Sequence, residues 1–160
     1  MLKKVIGGLA VLFILIQFIR PNQTNPATDA QVDFRTVTNP PEEIKGLLKV
    51  ACYDCHSNET VYPWYSQIAP VSWWLSSHIR EGREHLNFST YGLLPADDQA
   101  KIMEEISEVI QENEMPLDSY TWPHPKAKLS SAQKNALIQW AGNQGGNPAN
   151  GPEEKEKEED

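Results

Sequence analysis

Cys52-Tyr53-Asp54-Cys55-His56 is the stretch on which the reading of the chain turns. Two thiols three residues apart lie on one side of a helical turn, where both can add across the two vinyl groups of a haem. A histidine directly after the second cysteine can then offer a ring nitrogen to iron. No other cysteine occurs in the 160 residues, so a disulfide framework is excluded and the pair is a local site, a plain disulfide or chance. Two other chemistries compete for it. A structural zinc site would need a remote fourth ligand such as His78 or His85. A thiol redox pair is expected after a strand in a βαβ setting.

Upstream of the motif, Ile44, Leu47, Leu48 and Ala51 recur at helical spacing and run straight into Cys52. Asn39 is the expected cap of that helix, with Pro40 at its first position and Glu42 completing a capping box. Downstream, three more helical stripes follow. About Pro70 to Leu86 carries Val71, Trp74, Leu75, His78 and Ile79 on one face. About Ala96 to Asn113 carries Ile102, Met103, Ile106, Val109 and Ile110. The last begins at Ser130, with Gln133 completing a capping box, turns Ala136, Leu137, Trp140 and Ala141 inward, and ends at Gly142. Strand alternation is absent, so the expected fold is all-α, a single helical domain at residues 39–142. Trp64, Tyr65, Trp73 and Trp74 are expected in its core, and Tyr120 and Trp122 at the distal side of the iron.

The ends of the chain differ in kind from this middle. Val5 to Ile19 is a run of fifteen uncharged residues behind Lys3 and Lys4, the layout of an export signal or anchor. With no small-x-small cleavage site after it, residues 1–20 read as an uncleaved signal-anchor or transmembrane segment, at the short limit of a spanning helix. Residues 21–38 read as a tether. Residues 143–160 read as a disordered acidic tail, since Glu153 to Asp160 hold −4 of the chain's net charge of −8. That charge is the wrong sign for nucleic acid, which is not an expected partner.

A haem held by His56 has a second axial position. Met115 is the first candidate, because Pro116 turns the chain out of the third helix where a thioether can face iron. Met103 reads as core, while His78 and His124 remain alternatives, as does an open site. The helix leading into the haem motif, the later Met-Pro and the closing capped helix resemble a small class I cytochrome c. More closely, Cys52-Tyr-Asp-Cys-His-Ser-Asn, Tyr62-Pro-Trp-Tyr, Pro70-Val-Ser-Trp-Trp and Met115-Pro…Tyr120…His124-Pro resemble the haem-binding domain family of membrane-anchored bacterial cytochrome-like proteins. The resemblance covers about residues 34–142. It implies a small cytochrome c-like helical domain around one covalently bound haem c, attached through Cys52 and Cys55, with His56 the proximal and Met115 the distal ligand. An electron carrier is the function expected, at the periplasmic side of the inner membrane, with redox proteins of the bacterial envelope as partners. A haem sensor or peroxidase-like enzyme with an open distal site, and a zinc-bound interaction module, are the alternatives.

Overall fold

The computed structural model describes residues 1–145, and within them every regular element is helical. In chain order these are α1 (Leu2–Ile16), α2 (Phe34–Thr38), α3 (Glu42–Ala51), α4 (Tyr53–His56), α5 (Val71–His85), α6 (Ala96–Gln111), α7 (Asp118–Thr121) and α8 (Ser131–Gly145), with short 3₁₀ turns at Trp64–Gln67, Phe88–Leu93 and Pro125–Ala127. Helices α6 and α8 form the most extensive pair. Met103, Ile106 and Ile110 of α6 meet Leu137 and Ala141 of α8 in the same core as Ile44, Leu47, Leu48 and Ala51 of α3. Each of these stripes is the one the 3.6-residue period marks. The capping box of α8 forms as expected: the Ser130 N–H donates to the Gln133 amide oxygen at 2.8 Å, and the Gln133 N–H to the Ser130 hydroxyl at 3.3 Å. The helix runs past Gly142 to Gly145, because nothing there stops it.

Asn39 does not cap α3. It takes a left-handed conformation (φ 40°) and ends α2, a short helix that the polar sequence around it conceals. Asp33 caps α2 by accepting from the Arg35 N–H at 2.9 Å, and Phe34 is fully buried, its ring 4.6 Å from Phe88 and 4.7 Å from Tyr91. The packed domain therefore begins before residue 39. Gly92 makes this possible: a β-carbon there would stand 2.9 Å from the backbone of Val32, and the Gly92 N–H donates to the Val32 carbonyl at 2.8 Å. Residues 23–27, within the stretch expected as a tether, lie along the domain, with Gln23, Asn25 and Ala27 bonded to Ser66, Thr60 and Asn58.

Helix α5 is rotated from its expected face. Ser72, Leu75 and Ile79 are buried, while Val71, Trp73 and Trp74 are exposed. The reason is Gly82, where a β-carbon would come within 2.9 Å of the Cys55 carbonyl, so the seam of α5 that meets α4 is its smallest. Trp64 and Trp122 are likewise exposed, at 77% and 87%, so the tryptophans of the two connections do not build the core.

Among the described residues no helix is long and apolar enough to cross a membrane. Helix α1 has fifteen residues, all of its side chains on the surface or nearly so, and measures about 22 Å at 1.5 Å per residue. The acidic tail expected from residue 143 lies outside the described residues from 146 onward.

Candidate functional site

Helix α3 ends at Ala51, and Cys52 breaks its geometry (φ −126°, ψ −41°) before the single turn α4. That break sends Tyr53 inward and leaves Cys52, Asp54, Cys55 and His56 half-buried on the other side. Tyr53 is fully buried. Its ring stacks on Phe88 at 4.9 Å, its hydroxyl donates to Asp33 at 3.0 Å, and the Arg35 guanidinium lies 4.2 Å over its face. Glu59 accepts from Arg35 at 2.8 Å and from Lys49 at 2.7 Å, closing a network around the ring. Tyrosine ionisation is pushed well above its ordinary range by burial and by the neighbouring Asp33.

The residues after the motif are also held. Ser57 donates to the Tyr53 carbonyl at 2.6 Å and Thr60 to the Asp54 carbonyl at 2.6 Å. From α5, Arg83 donates to the Ser57 carbonyl at 2.8 Å, to the Thr60 hydroxyl at 2.8 Å and to the Asn25 side chain at 2.9 Å. Ser57, Asn58 and Thr60 are buried polar groups, each with a partner, so the turn is fixed from behind. Sequence reasoning passed over Gly82, Arg83 and this Ser-Asn-x-Thr run. Only Ser57 and Asn58 stood in the motif, and the rest carry no local pattern of their own.

Cys52 and Cys55 are free thiols. Burial pushes Cys52 up to about 12, and burial with the Asp54 charge pushes Cys55 up to about 11. A redox pair that attacks as thiolate is favoured by a depressed pKa, the opposite of this environment. Among the described residues no three His, Cys, Asp or Glu side chains are grouped to hold a metal ion. The His78 ring lies tilted against Trp74, 4.2 Å between centroids, with Nδ1 2.9 Å from the Trp74 carbonyl, and His85 is exposed, so the fourth zinc ligand that either was to supply is not assembled.

His56 is placed differently from the other histidines. Its Nδ1 is 3.2 Å from the Leu86 carbonyl oxygen, just beyond the end of α5. Burial lowers its pKa, which favours the neutral ring, while the carbonyls of Leu86 and Gly82 act the other way. A neutral ring donating from Nδ1 keeps the lone pair of Nε2 for a ligand bond.

Over the outer side of α4 lies a second group of rings. Tyr120, on α7, donates to the Asp54 carboxylate at 2.8 Å and packs tilted against His124, 4.4 Å between centroids. The Tyr65 hydroxyl is 3.3 Å from His124 Nε2, and His124 Nδ1 is 3.0 Å from the Tyr120 carbonyl. Tyr120 thus stands against the motif, whereas Trp122 is exposed. Met115 is half-buried on the turn that ends α6, where Asn113 takes a left-handed conformation (φ 63°) and the N–H groups of Glu114 and Met115 both return to the Val109 carbonyl. Five residues further on, Tyr120 brings that segment onto Asp54.

Residues 11–143 match the Haem-binding domain family. The chain belongs to the haem-binding domain family. The match takes in every element from the second half of α1 to α8, so the motif, the Gly82–Cys55 contact and the Tyr120–His124 cap all fall inside this haem-binding domain. No curated protein and no solved structure matches the chain.

Proposed function

We propose that this haem-binding domain is a monohaem c-type cytochrome that carries electrons at the outer face of a bacterial inner membrane. The observation that carries the reading is the arrangement on one turn: two neutral thiols at Cys52 and Cys55, and next to them a histidine with Nδ1 turned to a backbone carbonyl and Nε2 left for a metal. That donor set fits haem attached through two thioethers. Each S–H adds across one vinyl group, the sulfur bonding one carbon and the proton going to the other, with nothing left over. When bound, haem iron supplies a one-electron couple.

The chain's own residues do the rest. His56 would hold the iron through Nε2, its ring oriented by the Leu86 carbonyl. Gly82 lets α5 close on Cys55 and exclude water from the proximal side. Met115 would supply a further ligand to that iron, and a thioether there would raise the reduction potential. The histidines are poorer choices: both ring nitrogens of His124 are already engaged, and His78 lies against a surface tryptophan with Nδ1 bonded to that residue's carbonyl. Helix α1, behind Lys3 and Lys4, is the anchor, and places the domain on the far side from those lysines.

Redox titration of the haem-loaded chain tests this. Reversible one-electron reduction is expected, with the Met115→Ala potential shifted down and His124→Ala near wild type. Rapid peroxide turnover with no effect of Met115→Ala on the spectrum would overturn the carrier reading.

A further inference from the structure

Two stretches of this chain lack any Asp, Glu, Lys or Arg and are rich in large apolar residues: Val5 to Ile19, and the nineteen residues from Val61 to Ile79. They meet in space. The Gln17 side chain, at the end of α1, makes a two-point bond to Ala69, donating to its carbonyl at 3.0 Å and accepting from its N–H at 2.9 Å. Two residues later, the Ile19 carbonyl accepts from the Trp73 indole N–H at 2.6 Å. The anchor is therefore seated on the domain rather than hung from it.

The second stretch is exposed where it meets the first. Trp64 is 77% accessible, Val61 68%, and Val71, Trp73 and Trp74 between 36% and 44%. A water-facing surface of this composition has no purpose inside the domain, because the buried side of α5 is Ser72, Leu75 and Ile79. The length of the anchor supplies the missing partner. Its helical turns continue through Gln17, Phe18 and Ile19 by i→i−3 bonds. Even so, Leu2 to Ile19 spans only about 27 Å at 1.5 Å per residue, short of a hydrocarbon core of about 30 Å. A short anchor draws whatever is fixed to its end into the headgroup layer, and tryptophan, an apolar ring with one polar N–H, is suited to that depth.

We propose that the surface formed by Val61, Trp64, Ile68, Val71, Trp73 and Trp74 lies in the interfacial layer of a phospholipid bilayer, seated there by the Gln17–Ala69 clamp. This rests on α1 entering the bilayer. The domain is then held in one orientation on the membrane, and the cap of Tyr120 and His124 keeps a fixed direction relative to its plane.

The test uses the full haem-loaded chain in vesicles of phosphatidylcholine and phosphatidylglycerol, doped with a phospholipid bearing a photoreactive diazirine near the glycerol end of one acyl chain. After irradiation, lipid adducts are mapped by peptide mass spectrometry. Adducts are expected in 61–74 as well as in 2–19, with none on the acidic outer face of α6. In the double variant W73Q/W74Q the adducts in 61–74 should fall to background, while those in 2–19 and the haem spectrum stay unchanged. Adducts confined to 2–19 would overturn the docking and leave the anchor standing. Their absence from both stretches would overturn the anchor and the docking together. Protein cross-links on 61–74 in place of lipid ones would overturn the bilayer as the occupant and point to a protein.

Discussion

The inner and outer sides of α4 are built from different materials. Inward, Tyr53 is sealed between Phe88 and Arg35 with its hydroxyl on Asp33, and the polar groups after the motif are each bonded to α5 or to residues 25–27. Outward, Cys55 and His56 keep partial exposure, and the rings above them, Tyr65, Tyr120 and His124, are joined to one another by a few long hydrogen bonds. Rigid backing and an adaptable front are what a site needs when it must present reactive groups in one geometry and still admit a large flat ligand. The difference locates precision on the Tyr53 side and accommodation on the Tyr120 side.

Removing the reactive groups breaks the front outright. Cys52→Ala with Cys55→Ala should abolish haem that resists acid-acetone extraction, whereas Cys55→Ala alone should leave haem on one thioether, with the pyridine band shifted to the red by the vinyl group that remains. The next effect concerns the haem-free chain. With Cys55 at about 11 rather than the ordinary 9, its thiolate fraction at pH 8, and with it the rate of alkylation by iodoacetamide, should be about a hundredfold below that of an unperturbed thiol. Alkylation as fast as in the unfolded chain would show a front far more open than described.

Gly82→Ala attacks the backing. The new methyl would stand 2.9 Å from the Cys55 carbonyl, backbone against backbone, so α5 and α4 must separate, at a cost of about 1–3 kcal/mol. Thermal unfolding should show a lowered midpoint and, in the loaded protein, a disturbed His56–iron spectrum. Tyr53→Phe is milder: the ring and its stacking remain, Asp33 keeps Arg35, and the loss is about 1 kcal/mol in urea unfolding. The same residue sets an alkaline limit. Tyr53 and Tyr120 ionise later in the folded chain than in the unfolded one, through burial first and the carboxylates beside them second. Their stabilisation is thus complete below the unfolded value of about 10 and is lost as pH rises above it. Tyr53→Phe should flatten that decline.

Much of this was legible in the sequence where one residue type decides a contact. The stripes of α3, α6 and α8 obey the helical period because each helix has one buried face, and the Ser130–Gln133 box is a local bond between near neighbours. The motif could be read because its chemistry is contained in five adjacent residues. What escaped depends on distant partners. Phe34 is core because Gly92 clears a path for Val32, and α5 turns its tryptophans outward because Gly82 faces Cys55. The period of α5 fits two faces, and only the tertiary contact chooses between them. Aromatic residues were assigned inward on their size, whereas Trp73 is satisfied by a carbonyl of the N-terminal segment.

The central claim is that Cys52, Cys55 and His56 hold a haem. Its most direct test is the absorption spectrum, with alkaline pyridine and acid-acetone extraction, of the full chain produced in a host that matures c-type cytochromes. The account predicts a c-type spectrum that survives extraction, with the weak sulfur-to-iron band of methionine ligation in the oxidised form. A chain that is folded and free of covalent haem would contradict it.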